Sequence, residues 1–225
     1  MTTARRYDDP CGIARALDVV GDRWALLVVR ELIFGPKRFV QLRHGLPGVS
    51  PNVLSQRLRD LEDAGVVRRD VLGPPADVPV YELTARGLAL EPVLLELARW
   101  GSQQPLTAPG QLSASALLLA LKAVFDPAAG VGATFALRID GDWFRLTAAD
   151  GSIAIARGRA EHPDATLETD AATLETDVAT LRSVAFGREP VTAAERDGRL
   201  TVTGDRCLAE RFTRMFPVPQ EHAPT

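Results

Sequence analysis

Long polar side chains recur at helical spacing in one part of the 225-residue sequence. Asn52, Gln56 and Arg59 fall on one face of a helix at about 100° per residue, and Ser55 lies on the flank of that face. These side chains can hydrogen-bond to base edges, because arginine forms paired bonds with guanine, and asparagine or glutamine with adenine. Taken alone, an ordinary amphipathic surface helix explains them better, so the choice depends on the surrounding sequence.

The same stretch carries the start and stop signals of a helix. Ser50 offers a hydroxyl that can cap the helix, and Pro51 fills the first helical position, where its missing N–H costs nothing. Gly65 stands just past the end, where a left-handed residue closes a helix. The apolar residues between these signals recur at i, i+4 and i+7 and predict a buried stripe opposite the polar face: Leu54, Leu58 and Leu61.

Positive charge is concentrated around this predicted helix. The whole chain has a formal net charge of −3, but residues 37–69 hold seven basic and three acidic side chains. A local patch matters more for phosphate attraction than the charge of the whole chain. The candidate DNA contacts in this region are Lys37, Arg38, Ser50, Asn52, Ser55, Gln56, Arg57, Arg59 and Arg68.

The elements around the candidate helix follow the order of a winged helix-turn-helix domain. Three helices are predicted before it, at residues 11–20, 24–34 and 39–44. Asp22 is the predicted N-cap of the second helix, whose core candidates are Trp24, Leu27, Leu32 and Ile33. After the candidate helix, a proline-rich loop at residues 72–79 joins two predicted strands, at 66–71 and 80–83.

A longer apolar helix is predicted to follow the hairpin. Thr84 is its N-cap, and the helix spans residues 85–100. Its apolar side chains have no evident cover within a small domain: Leu88, Val93, Leu94, Leu97 and Trp100. The first helix also carries apolar residues on one face, namely Ile13, Leu17 and Val20. A second subunit is the natural partner for these faces.

Residues 11–101 resemble the HxlR-type family of bacterial transcriptional regulators. The resemblance is carried by Cys11, Gly21-Asp22-Arg23-Trp24, Arg38-Phe39, residues 50–61, and Tyr81-Glu82-Leu83-Thr84 with Gly87. It implies a homodimer on a roughly palindromic operator, with the helix at residues 50–63 in the major groove and the hairpin at 66–83 as the wing. One departure is Gly12, where members of the family often carry proline.

The second half of the chain has a different pattern, which begins after a linker rich in proline and glycine at residues 103–110. Strands are predicted at residues 133–139, 143–147, 152–157, 165–169 and 199–203. Helices are predicted at residues 113–125 and 206–216, the latter capped by Asp205. Asp140-Gly141 is typical of a tight hairpin turn. An antiparallel sheet flanked by helices predicts a second, α+β domain.

This half resembles the SCP-2 (sterol carrier protein-2-like) fold. The resemblance is carried by residues 135–145, 162–167, 198–205 and 211–217. It implies a tunnel for apolar ligands, whose candidate lining is Phe125, Trp143, Phe144, Phe186, Phe212 and Met215. Simple core packing is the alternative for each of these residues taken singly. The expected division is a DNA-binding and dimerisation domain at 1–102, a linker at 103–112 and an SCP-2-like domain at 113–225.

Several other classes of function are disfavoured by the sequence. It has no catalytic constellation, no phosphate-binding loop and no metal-ligand spacing, so neither an enzyme nor a cofactor is expected. The sequence contains no run of 18 apolar residues, so a membrane span is not expected. The N-terminus lacks an apolar leader and two cysteines cannot form a disulfide framework, which favours a cytoplasmic, nucleoid-associated protein.

Two functions remain open. In the first, a dimeric regulator responds to a small apolar ligand bound in the C-terminal domain. In the second, Cys11 senses oxidants or electrophiles, as a cysteine at this position does in some relatives, and the C-terminal domain is only a dimerisation or protein-interaction scaffold. Arg15 and a nearby helix N-terminus favour a thiolate at Cys11. Packing of this small side chain against a dimer partner is the simpler interpretation.

Overall fold

The computed structural model describes residues 7–72, 77–104, 110–129, 132–158, 165–169 and 174–217, with the backbone alone for 165–169 and 174–177. The chain forms two compact units, Met1–Leu94 and Leu95–Thr225. No helix within these described residues is long and apolar enough to cross a membrane.

The first unit has the predicted winged helix-turn-helix order. Its elements are α1 (Gly12–Val20), α2 (Ala25–Leu32), α3 (Phe39–Gly45), α4 (Pro51–Asp63), β1 (Val67–Leu72), β2 (Val78–Leu83), α5 (Ala85–Leu88) and the start of α6 (Glu91–Ser102). The antiparallel hairpin runs in register from Val67 opposite Leu83 to Leu72 opposite Val78. Lys37 and Tyr81 exchange backbone hydrogen bonds of 3.0 and 2.9 Å, which attach the segment before α3 to the hairpin.

The turn between α1 and α2 differs from the prediction. Asp22 does not cap α2: its carboxylate forms an ion pair with Arg57, and its backbone carbonyl accepts from the N–H of Ala25 at 3.0 Å. The residue before α2 is Trp24, which adopts a left-handed conformation with φ of 80°. A bulky side chain rarely takes this conformation, so the turn could not be predicted from the capping signal of Asp22 alone.

Two further expectations for this unit were wrong. Leu27 is exposed rather than in the core, because α2 buries a neighbouring stripe that includes Val28, Val29 and Leu32. The predicted continuous helix at residues 85–100 is divided into α5 and α6. Pro92 explains the break, since it has no N–H to donate to the carbonyl of Leu88.

The second unit is built on a five-stranded sheet in the order β5-β4-β3-β6-β7. The strands are β3 (Ala133–Ile139), β4 (Asp142–Ala149), β5 (Ser152–Arg157), β6 (Ala165–Thr169) and β7 (Leu200–Gly204). Three of the pairings are antiparallel, as predicted, but β3 and β6 are parallel. The parallel pair arises because the chain passes from β5 at one edge of the sheet to β6 on the far side of β3. The predicted α+β class is confirmed.

Helices complete this unit: α7 (Ala114–Val124), α8 (Leu174–Ala185), α9 (Val191–Arg196) and α10 (Arg206–Phe212). The short α9 was not predicted, and the predicted helix at 206–216 ends as a 3₁₀ turn at Thr213–Met215. Asp205 caps α10 as predicted, accepting from the N–H groups of Cys207 and Leu208. Asp140 and Gly141 are both left-handed, with φ of 51° and 79°, which confirms the predicted hairpin turn.

Aromatic rings form part of the core of the second unit. Phe212 lies with its ring centroid 5.2 Å from that of Phe135 and 5.0 Å from that of Phe216, in edge-to-face contacts. Such pairs add to the stabilisation given by burial alone. The centre of the loop predicted at 72–79 and most of the linker predicted at 103–110 lie outside the described residues. Residues 162–164, which are part of the expected SCP-2 resemblance, also lie outside them.

Candidate nucleic-acid interface

The candidate reading helix α4 has the caps that its sequence predicts. The Ser50 hydroxyl accepts from the N–H of Val53 at 3.3 Å, and Pro51 is the first helical residue. Gly65 is left-handed with φ of 67°, and the N–H of Val66 donates to the carbonyl of Leu61 at 2.9 Å. This closes the helix in the manner of a Schellman motif.

One face of α4 is fixed to the core and the other is open. The side chains of Leu54, Leu58 and Leu61 have no exposed surface. Asn52, Gln56 and Arg59 are exposed on the opposite face, and Ser55 is half-buried. The structure therefore brings the three predicted base-contacting residues together on one accessible surface.

The polar side chains on this face bond to one another. The amide nitrogen of Gln56 donates to the carboxylate of Asp60 at 2.8 Å. The Nη2 atom of Arg59 donates to the amide oxygen of Gln56 at 2.7 Å. Gln56 is thus held between an acid and a base along the surface of the helix.

Arg57 is not part of the open face. Its side chain is 15% exposed and forms ion pairs with Asp22 and, at 3.3 Å, with Asp60. A DNA contact by Arg57 would require these pairs to break. The structure therefore separates Arg57 from the other predicted contacts on α4.

Lys37 also has a partner inside the fold. Its Nζ atom lies 2.7 Å from the Oε2 atom of Glu31, whose side chain has no exposed surface. Arg30 donates to the Oε1 atom of Glu31 at 2.8 Å and to the carbonyl of Gly45 at 3.1 Å. A Cβ atom at Gly45 would come within 2.3 Å of the Glu31 carboxylate, so a larger residue there would displace this carboxylate from its present position. The cluster fastens α2 to α3 and to the segment that pairs with the wing.

The remaining predicted basic contacts are accessible. Arg38 is exposed at the start of α3, where its backbone N–H donates to the side chain of Gln41 at 2.9 Å. Arg68 projects from β1 with 63% of its side chain exposed and pairs with Glu82 across the hairpin at 2.6 Å. Such exposed pairs stabilise little.

Two further residues lie on this surface and were not among the predicted contacts. Arg69 lies on the wing, donates to the hydroxyl of Tyr81 at 2.8 Å and pairs with Glu62 of α4 at 3.2 Å, which connects the wing to the helix. Val53 is exposed in the first turn of α4, beside Asn52. An apolar side chain at such a position can contact the methyl group of thymine. Its exposure could have been anticipated from the helical angle alone.

Cys11 lies at the N-terminus of α1 and is exposed. The backbone N–H groups of Ile13 and Ala14 lower the pKa of its thiol below the ordinary cysteine value. Its own N–H donates to the carboxylate of Asp9 at 2.8 Å. The structure therefore does not bury the Cys11 side chain within the chain, and the predicted packing of Cys11 would need a second subunit.

The predicted ligand-lining residues of the second unit fall on two faces of its sheet. Phe144 is buried and lies opposite Leu137 in the register of β3 and β4, while Trp143 lies opposite Arg138. Adjacent residues of a strand point to opposite faces, so Trp143 and Phe144 do not face one common space.

The other four predicted residues differ in burial. Phe212 and Met215 have no exposed surface, whereas Phe125 and Phe186 are half-buried. Phe125 lies 6.4 Å from Phe216 between ring centroids, which joins it to the aromatic core described above. Among the residues that the structure describes, no group of three or more His, Cys, Asp or Glu side chains could hold a metal ion.

Comparison with known proteins gives matches to the first half of the chain. Residues 19–107 match the family model described as HxlR-like helix-turn-helix. The HTH-type transcriptional regulator YvaP of Bacillus subtilis, itself uncharacterized, is 42% identical over 90 residues, which cover 40% of this chain and 82% of that protein. YodB of the same organism, also named an HTH-type transcriptional regulator, is 36% identical over 88 residues, which cover 39% and 79%.

A solved structure shows the same extent of similarity. Quinone-bound YodB from B. subtilis is 34% identical, with a TM-score of 0.35, and the match covers 40% of this chain and 96% of that one. The relatives are named as transcriptional regulators and not as enzymes, as expected for this chain. Through residues 19–107, the chain belongs to the HxlR-like helix-turn-helix family of bacterial transcriptional regulators.

Proposed function

We propose that the protein is a homodimeric regulator that binds double-stranded operator DNA in the cytoplasm, at the nucleoid, and responds to a small apolar ligand. The exposed polar face of α4, opposite three fully buried leucines, is the observation that carries the DNA-binding part. An α-helix with such a face fits the major groove, where each base pair presents a distinct pattern of donors and acceptors.

The positions of the predicted contacts support three different roles for them. Asn52, Gln56 and Arg59 form the base-reading face, flanked by Ser55. Arg38, Ser50 and Arg68 contact the phosphate backbone, which gives affinity without sequence preference. Lys37 and Arg57 act inside the fold, because each is mostly buried against a carboxylate partner.

Dimerisation is proposed through α1 and α6. Ile13 on α1 is 73% exposed and Trp100 on α6 is 65% exposed, and further apolar side chains on the same helices are exposed: Leu17, Val93 and Leu97. Scattered apolar residues are normal on a surface, but this many on two helices favour a subunit interface. The domain boundaries proposed above are 1–102, 103–112 and 113–225, and they place the whole of α6 in the dimerisation domain.

The end of α6 is also attached to α7. The Arg99 side chain donates to the backbone carbonyl of Ala123 at 2.7 Å.

The ligand-binding part of the proposal concerns the second unit as an SCP-2-like domain. Its support is the five-stranded sheet with α7, α8 and α10 in contact with its strands, and the apolar residues between them. The proposed lining is Phe125, Phe144, Phe186, Phe212 and Met215. Trp143 is left out of this set, because it lies on the other face of β4.

In vitro selection from a random-sequence duplex library tests the DNA-binding function. The wild-type protein is expected to enrich an inverted repeat, because a dimer with two-fold symmetry reads two equivalent half-sites. Enrichment of no sequence over several rounds, with binding to all duplexes alike, would contradict the proposal.

Native mass spectrometry of the purified protein and titration with the apolar dye 1-anilinonaphthalene-8-sulfonate test the ligand-binding function. Phe125→Ala is expected to weaken dye binding, since Phe125 is half-buried beside the aromatic core. Trp143→Ala is the matched control on the opposite face of the sheet and is expected to leave dye binding unchanged. Equal dye binding by the two variants would show that the dye does not bind beside Phe125, and this result would contradict the proposed ligand site.

A second candidate function is thiol sensing by Cys11, with the C-terminal unit as a scaffold. The exposure of Cys11 and the lowering of its thiol pKa by two backbone N–H groups favour it. A quinone or another electrophile that modifies Cys11 and changes operator affinity in the absence of any apolar ligand would select this candidate.

A further inference from the structure

A continuous chain of polar contacts connects the end of α1 with the exposed face of α4. Asp22 pairs with Arg57, and Arg57 pairs with Asp60 at 3.3 Å. Asp60 accepts from the Gln56 amide nitrogen at 2.8 Å, and the Gln56 amide oxygen accepts from Arg59 at 2.7 Å. All five side chains belong to the first unit, and α1 and α4 are in contact there.

We propose that Asp22, Arg57, Asp60 and Gln56 are positioning residues that set the direction of the Arg59 guanidinium for reading a base. The inference rests on the proposed function, in which Arg59 contacts a base edge. It changes the role of Gln56, which supports Arg59 instead of reading a base independently.

The order of partners fixes the direction of each group. An ionised carboxylate only accepts, so Asp60 requires the nitrogen end of the Gln56 amide. The oxygen end then points along the helix and holds the Nη2 atom of Arg59. Arg59 retains its other N–H groups, which suffice for the paired bonds to guanine O6 and N7. The chain of contacts therefore leaves Arg59 oriented yet still able to bind.

The far end of the chain is anchored by a turn with little freedom. A Cβ atom at Gly21 would lie 2.4 Å from the carbonyl oxygen of Leu17, so this residue follows α1 closely. Trp24 is held in a left-handed conformation at the start of α2. Asp22 stands between these two fixed points, and its partner Arg57 is mostly buried.

The test uses Asp22→Asn, because charge alone predicts the opposite result. Removing a carboxylate near DNA should strengthen binding to every duplex or leave it unchanged. A positioning role predicts instead that affinity for a duplex selected by the wild-type protein falls about fivefold or more, while affinity for a random duplex of equal length does not fall. Asp63→Asn is the matched control, since Asp63 is an exposed acid of α4 outside the chain of contacts.

Combination with Arg59→Ala shows whether Asp22 acts through Arg59. In the Arg59→Ala background, Asp22→Asn is expected to cause no further loss of affinity for the selected duplex. An equal loss in both backgrounds, or no loss in the wild-type background, would overturn the inference. If Arg59→Ala itself left the ratio of selected to random binding unchanged, the base-reading function of Arg59 would fail instead.

Folding is checked in the same variants by their thermal midpoints. The Asp22 side chain is itself largely exposed and Arg57 keeps its pair with Asp60, so Asp22→Asn is expected to melt close to the wild-type protein. Asp63→Asn is expected to do the same, because Asp63 is exposed. If Asp22→Asn unfolds, Gln56→Met on the exposed face replaces it, since methionine keeps the length of glutamine without its hydrogen bonds. The same fivefold loss on the selected duplex is expected, and it should disappear in the Arg59→Ala background, because Gln56 acts through Arg59. A loss that persists in that background, or an equal loss on random DNA, would overturn the inference.

Discussion

The ammonium group of Lys37 lies 2.7 Å from the carboxylate of Glu31, and the Glu31 side chain has no exposed surface. Arg38, the next residue in the chain, is exposed. Two neighbouring basic residues that look alike in the sequence thus have different surroundings. One completes a buried cluster with Glu31 and Arg30, and the other is available to a phosphate.

Substitution of these neighbours separates stability from DNA binding. Lys37→Met is expected to lower the free energy of unfolding by about 1–3 kcal/mol, because it leaves a buried carboxylate with one partner fewer. Arg38→Met is expected to leave stability within about 0.5 kcal/mol and to weaken binding to all DNA sequences, with a salt slope smaller by about one. Urea denaturation and binding titrations over a range of salt concentrations measure both effects. A stable Lys37→Met variant with a reduced salt slope would return Lys37 to the phosphate contacts.

Most of the first unit could be predicted from the sequence, because its signals are local. Ser50, Pro51 and Gly65 define α4, and the spacing of Leu54 and Leu58 defines its buried face. The partners of Lys37 and Arg57 could not be predicted in this way. The partner of Lys37 is Glu31, which lies on another element, α2. The partner of Arg57 is Asp22, which is distant in the sequence. Helical periodicity gives no information on such pairs.

The second unit was predicted less completely for a related reason. The period-two pattern of β3 and β4 predicted their existence, and Asp140-Gly141 predicted their turn. The parallel pairing of β3 with β6 depends on a crossing between distant strands, which no local signal specifies. Trp143 and Phe144 were both predicted to line the tunnel because both are aromatic. Adjacent residues of a strand face opposite sides of the sheet, so only one of the two can face a given space.

Dimerisation is tested by polar substitution of exposed apolar residues. Leu97→Asp, alone or with Ile13→Asp, is expected to convert the proposed dimer into a folded monomer, because both substitutions leave the interior of the chain intact. Leu94→Asp is the matched control on the same helix, and it is expected to unfold the protein because Leu94 is buried. Analytical ultracentrifugation and circular dichroism distinguish these results. A Leu97→Asp variant that remains dimeric at micromolar concentration would exclude the proposed interface.

The reactivity of Cys11 is expected to follow the lowered pKa of its thiol. In a Cys207→Ser background, the rate of alkylation by iodoacetamide should rise with pH to a midpoint below that of N-acetylcysteine measured under the same conditions. The sign follows from the backbone N–H groups of Ile13 and Ala14, which favour the thiolate. Mass spectrometry at several pH values gives the profile. A midpoint at or above that of N-acetylcysteine would remove the support for thiol sensing.

Coupling between an apolar ligand and operator DNA has a reciprocal signature. Typical allosteric coupling changes affinity by about 5- to 150-fold, and saturating operator DNA must change the affinity for the ligand by the same factor. Titration of a co-purifying ligand, or of the dye used above, with and without the selected duplex measures this factor. A bound ligand that leaves operator affinity unchanged would favour a scaffold role for the C-terminal unit.

The most direct measurement of the central claim compares affinities for the selected duplex and for a random duplex of the same length, at one salt concentration. Arg59→Ala is expected to weaken binding to the selected duplex by about 1–3 kcal/mol and to leave binding to the random duplex nearly unchanged, because a base contact carries sequence information. Arg38→Met should weaken both equally, because a phosphate contact carries none. Equal losses on both duplexes for Arg59→Ala would contradict the assignment of the exposed face of α4 as the base-reading surface.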